Sequence, residues 1–129
     1  MPTLFFMVRF VCGDYTASLK LVQLYLNGGV WNGRRLIDKN WIDASVARHT
    51  TFGLNHDYGY AWHLHTLTVG GHDYRGYAAE GNGGQFVIVV PELDLVVAIT
   101  AGNYGQFSVW YPLQELVTEY VIPAVLKRD

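Results

Sequence analysis

Residues 86–101 carry the strongest constraint on the fold. Phe86–Pro91 and Leu95–Ala101 are apolar runs rich in β-branched residues, joined by the turn sequence Pro91-Glu-Leu-Asp94. Runs of that length and composition, separated by so short a turn, read as a hairpin of buried strands. Half of the 129 residues are hydrophobic, 15% are aromatic and 16% are charged. A packed core is therefore within reach and disorder is not expected. So low a charged fraction in a short chain also implies apolar faces that something else must cover, either a partner subunit or further sequence.

The elements around the hairpin follow from periodicity and capping. Thr16 is placed to cap a helix running through Asn27, in which Leu19, Val22 and Leu26 recur at helical spacing, and Gly28-Gly29 stops it. Asn32-Gly33 marks a turn. Asp38 caps a second helix from Lys39 to about His49, with Trp41, Ile42 and Ser45-Val46 as its inner face. The period then becomes strand-like. Tyr58–His65 alternates as one half-buried strand and Tyr74–Ala79 as another, leaving His56 and His72 in loops. Pro112 opens a last helix bearing Leu113, Leu116, Val117, Tyr120 and Val121, and Pro123 kinks or ends it. Two helices, an antiparallel meander and a final helix make an α+β layer structure in a single unit over residues 1–129.

Charge and cysteine count remove several function classes. A formal net charge of −2 argues against electrostatic nucleic-acid binding. Cys12 is alone, which excludes an internal disulfide framework and a multi-cysteine zinc site. The apolar opening Met1–Cys12 is interrupted by Arg9, with no basic residue before the run and no small-x-small site after it. It reads as a short buried strand over residues 3–11 rather than a secretory signal. The longer apolar runs are too short to span a bilayer as helices, so no membrane partner is expected. Cytoplasm is the default compartment.

Chemistry concentrates in Tyr77-Ala-Ala-Glu-Gly-Asn-Gly-Gly-Gln85. Gly81, Gly83 and Gly84 allow close backbone approach to a ligand, and successive N–H groups there can point at an anion. No Gly-x-x-x-x-Gly-Lys-Ser/Thr pattern and no following helix support a phosphate loop, and a glycine-rich hairpin turn is the simpler reading. His63 and His65, two apart on a strand, face one side. No third ligand stands at a recognisable spacing, so neither a metal nor a cofactor is expected and these read as ordinary sheet-face histidines. Glu80 and Asp94 are too far apart in the pattern for a paired acid–base site. Glu80, beside the glycine loop, is the carboxylate of interest.

The ordered series Leu24-Tyr-Leu-Asn-Gly-Gly-Val-Trp-Asn-Gly-Arg-Arg-Leu-Ile37, Trp41-Ile-Asp-Ala-Ser45, Tyr58-Gly-Tyr-Ala-Trp62, Gly81-Asn-Gly-Gly-Gln85 and Val90-Pro-Glu-Leu-Asp-Leu-Val-Val97 resembles the C-terminal part of serine β-lactamase-like hydrolases. These include class C β-lactamases, family VIII esterases and 6-aminohexanoate-dimer hydrolases. The resemblance covers about residues 14–127. Met1–Asp14 does not share it and joins it abruptly, as expected of a truncated member. The family's nucleophile lies in Ser-x-x-Lys, and here Ser18, Ser45 and Ser108 are followed three residues later by Leu21, Arg48 and Tyr111. Tyr25-Leu-Asn27 matches Tyr-x-Asn only by coincidence, since it ends a helix that follows the family's tyrosine motif. Ala79-Glu80-Gly81 occupies the Lys-Thr-Gly position without its basic residue, which leans toward an ester or amide substrate.

The resemblance implies a substrate loop of Glu80, Gly81, Asn82, Gly83, Gly84 and Gln85, with the Asn82 backbone N–H as half of an oxyanion hole. Such a donor is worth roughly 3 kcal/mol of transition-state stabilisation, but only beside an activated nucleophile. The expected function is the C-terminal portion of a serine esterase or amidase, inactive alone, with a small ester or amide as ligand. A periplasmic location fits full-length relatives. The alternative is a non-catalytic binding or oligomerisation module that retains this part of the fold, and an unrelated small α+β ligand-binding protein is a third. The resemblance also implies that Leu95–Ala101 pairs with a strand from the family's N-terminal segment. Without it, residues 3–11 fill the apolar edge in cis or a second copy does, and a homo-oligomer is expected.

Overall fold

The computed structural model describes residues 4–9, 16–54, 56–106, 108 and 110–128. Cys12 and the ends of the strand expected over 3–11 lie outside the described residues. The chain is α+β. It runs β1 (Leu4–Arg9), α1 (Thr16–Leu26), β2 (Val30–Trp31), β3 (Arg34–Arg35), α2 (Lys39–Ser45), β4 (Thr50–Phe52), β5 (His56–Tyr58) and β6 (His63–Val69). Next come β7 (His72–Gly81), β8 (Gln85–Val90), β9 (Leu95–Thr100) and a closing helical stretch. That stretch comprises α3 (Trp110–Glu115), a π-helical segment (Leu116–Val121) and α4 (Ile122–Leu126).

Among the described residues, the main sheet has seven strands in the order β1-β9-β8-β7-β6-β5-β4. Strands β6 to β9 form the expected antiparallel meander, and two short strands that the sequence does not announce, β4 and β5, extend it. Strand β1 joins it in parallel, with Phe6 opposite Val97. Of the two fillings expected for the Leu95–Ala101 edge, the one in cis is present: β9 lies between β8 and β1, and among the described residues the outermost strands are β1 and β4.

β8 and β9 are buried on both faces, which is why neither alternates in polarity. One face packs Phe86, Ile88, Val97 and Ile99 against Leu113, Val117, Val121, Ile122 and Val125 of the closing helix. The other packs Val87, Val89, Val96 and Ala98 against Val22 of α1 and Trp62. Fully burying one such Val or Ile contributes about 1.5–3 kcal/mol. Tyr25, Trp62 and Tyr77 tie α1 to this face, with ring centroids 4.9 Å apart for Tyr25–Trp62 and 5.1 Å for Trp62–Tyr77.

Three local expectations change. Tyr58–His65 is not one strand, because the chain turns at Gly59–Trp62 and Tyr58 faces His63 across a hairpin. The Gly59 N–H donates to the Trp62 carbonyl at 2.9 Å. A Cβ on Gly59 would stand 2.3 Å from the Ser45 carbonyl oxygen, so α2 and this turn meet only because residue 59 is glycine. That meeting also shortens α2. Tyr60 N–H takes the Ser45 carbonyl and His49 N–H donates to Tyr58, leaving no helical bond to carry α2 to His49. Trp41, placed on the inner face by periodicity, is 54% exposed and stacks on Tyr60 at a centroid distance of 5.6 Å.

Pro123 neither ends nor breaks the closing helix. The segment before it widens to π geometry, in which Ile122 N–H reaches back to Val117 O, and Pro123 enters the first turn of α4, where its missing N–H leaves no gap. Among the described residues, no helix is long and apolar enough to cross a membrane.

Candidate functional site

The glycine loop connects β7 to β8, whose ladder closes at Gly81 opposite Gln85. Its polar groups are tied to the segment after β9. Asn82 Oδ1 accepts from the Gly105 N–H at 2.8 Å, the Gly83 carbonyl accepts from the Asn103 N–H at 2.9 Å, and Gln85 Nε2 donates to the Ala101 carbonyl at 2.8 Å. Gly83 has φ 93°, and the Tyr104 ring lies 2.9 Å from where its Cβ would be. Glycine is required there for both reasons. Glu80, Gly81 and Gln85 line a cavity of about 240 Å³ against Ser18, Leu21 and Trp62, between the loop and α1. Gly83 and Gly84 are buried and Asn82 is exposed.

A second and larger cavity, about 750 Å³, opens beside the sheet face that carries the closing helix. His56, His63, His65, Glu80, Tyr111 and Gln114 line it. Strand geometry brings these side chains together. His63 and His65 are two apart on β6 and share a face. Glu80 lies two residues beyond Ala78, the partner of His63, and so projects diagonally onto the same face. Pairing of Tyr58 with His63 carries His56 alongside both histidines. His56 was expected in a loop, and its position on β5 is what places it in the group.

The polar groups form a connected chain. Gln114 Nε2 donates to His65 Nδ1 at 3.1 Å. An amide nitrogen can only donate, so the proton of neutral His65 sits on Nε2. That N–H points at Glu80 Oε1, 2.5 Å away. The other carboxylate oxygen, Oε2, stands 3.6 Å from His63 Nδ1. His63 Nδ1 in turn shares a proton with His56 Nε2 at 2.7 Å. Burial lowers the His63 pKa below its ordinary 6.5. Glu80 opposes that shift, and the neighbouring His56 and His65 reinforce it. Desolvation disfavours the imidazolium and keeps a ring lone pair available.

Of the loop residues singled out by sequence, Glu80 alone reaches both cavities. His56, His65 and Gln114 were not recognised as one group. The only local signal was the His-x-His spacing of residues 63 and 65. Their meeting depends on the β5–β6–β7 register and on a helix 49 residues downstream of His65. No protein-family model matches the chain, and no curated protein matches it.

Proposed function

We propose that this chain is the C-terminal, substrate-side portion of a serine hydrolase of the β-lactamase and esterase type. In this reading it contributes the loop Glu80–Gln85 to ester or amide hydrolysis and does not turn over substrate by itself. The observation that carries the reading is the end of β7, where Glu80-Gly81 runs into a glycine turn beside a small cavity roofed by α1. Gly81 lines that cavity, and a glycine turn is where backbone donors of the kind an oxyanion hole needs can stand. The resemblance of the ordered segments from Leu24 to Val97 supplies the reaction class. None of Ser18, Ser45 and Ser108 is followed by lysine three residues later, so the sequence holds no activated nucleophile of the family's kind.

The alternative, a non-catalytic binding module, draws on the engagement of Asn82 Oδ1, the Gly83 carbonyl and Gln85 Nε2 with residues 101–105. One experiment separates the two. The chain is assayed on a chromogenic short-chain ester and a chromogenic cephalosporin, and its amide NMR spectrum is followed while a short-chain amide is added. The hydrolase reading expects no turnover together with shifts at the amides of residues 81–84. Turnover, or shifts confined to other parts of the chain, would overturn it.

A further inference from the structure

The histidine–glutamate group beside the larger cavity has the composition of a metal site. One ring nitrogen each of His56 and His63 and a Glu80 carboxylate oxygen all lie within 4.8 Å of one another. Two separations are defined more closely, 2.7 Å between His56 and His63 and 3.6 Å between His63 Nδ1 and Glu80 Oε2. Ligands held at tetrahedral angles around one zinc ion, with bonds of about 2.0–2.1 Å, stand about 3.3 Å apart. The observed separations bracket that edge. An ion enters by replacing the proton shared between His56 and His63, and the two rings part by roughly half an ångström to reach that spacing.

We propose that His56, His63 and Glu80 form a mononuclear site for a divalent transition metal of the zinc class, with an open coordination position facing the cavity. Two imidazoles and one carboxylate favour zinc, cobalt or nickel over calcium and magnesium, which take oxygen ligands. Three protein ligands rather than four leave a position for water or a substrate atom, and the cavity of about 750 Å³ gives that position access.

Two further features fit a ligand set prepared for a cation. His65 holds Glu80 Oε1 and is itself held by Gln114, which leaves Oε2 directed toward His63. This is the outer-shell arrangement that orients a metal-binding carboxylate. Glu80 is also a buried carboxylate, with a side chain only 9% exposed, whose ion-pair partners among the described residues are histidines. A buried carboxylate is costly without a compensating positive charge, and a bound ion supplies one.

The test is zinc titration of the full, metal-stripped chain in competition with a chromophoric chelator, followed by cobalt loading and its visible absorption spectrum. The expected result is one ion per chain at micromolar zinc and a cobalt spectrum of low coordination number. His56→Ala and His63→Ala, each confirmed folded by circular dichroism, should abolish stoichiometric uptake. Glu80→Gln keeps an acceptor for His65 and should also lose the ion. His72→Ala, whose ring bonds Glu92 instead, should bind as the parent does. Absence of stoichiometric uptake by the folded parent overturns the proposal. So does uptake that survives in both His56→Ala and His63→Ala, or uptake that His72→Ala removes.

Discussion

His65 Nε2 and Glu80 Oε1 stand 2.5 Å apart, with only 6% and 9% of their side chains exposed. The bond ties the middle of β6 to the end of β7, and Gln114 ties the same imidazole to the closing helix. Glu80→Ala leaves the His65 N–H without a partner inside the protein. An unsatisfied buried donor costs about 1–3 kcal/mol. Glu80→Gln retains an acceptor and should lose less. Urea unfolding of the two variants against the parent checks the order, and an Ala variant as stable as the parent would show that the pair contributes nothing to folding.

Tyr77 predicts an alkaline limit to stability. Burial, reinforced by Tyr25, pushes its phenol far above the ordinary value near 10. The unfolded chain therefore releases this proton at lower pH than the folded one. The stabilisation is present in full below about pH 10 and is lost as pH rises above it. Tyr77→Phe removes the titrating group, so its melting temperature should fall less steeply than the parent's between about pH 9 and pH 11. Parallel curves over that range would contradict the assignment.

Gly83 should not tolerate a side chain. Gly83→Ala meets both an unfavourable φ of 93° and the Tyr104 ring, and the expected loss exceeds about 1 kcal/mol. Adding Tyr104→Ala relieves the contact but not the backbone strain. The double variant should recover part of the loss in chemical denaturation, and recovery of all of it would mean that the backbone term is negligible.

Removing residues 1–9 deletes β1 and uncovers the N–H and C=O groups of Leu95–Thr100. Every residue of β9 is buried in the intact chain, and an apolar edge of that kind invites pairing with another strand. Sedimentation equilibrium should show the shortened chain self-associating more strongly than the full chain. Equal masses per particle at micromolar concentration would show that β1 does not guard the edge.

The reach of the sequence differs between the sheet and the site, for physical reasons. Phe86–Val90 and Leu95–Thr100 were readable because both of their faces are buried and no polar residue interrupts them. The Pro91–Asp94 turn was readable because a 3₁₀ turn closes on Asp94 in the left-handed region, φ 47°, which Asp tolerates. β5 escaped notice because it has three residues, His56, Asp57 and Tyr58, all half-buried, and so shows neither an apolar run nor an alternation. The end of α2 was hidden because it is decided by Tyr60 and Tyr58, partners beyond the helix itself. The site depends on the same kind of information. His63 and His65 declare a shared face, but Glu80 and His56 join them only through strand register, which no local pattern encodes.

The π-helical segment has a geometric consequence for that site. Leu113, Val117, Val121 and Val125 recur every four residues and all are buried. On a regular α-helix, with 3.6 residues per turn, each four-residue step drifts about 40° around the axis, so three steps would carry the row about 120° away from the sheet. The wider turn at Leu116–Val121 takes up that drift and keeps both ends of the row on one line. It therefore acts as a phase correction along the helix. Deleting one residue inside it would rotate the two halves against each other by about 100°. Either Val125 would leave the core, or Gln114 would swing away from His65.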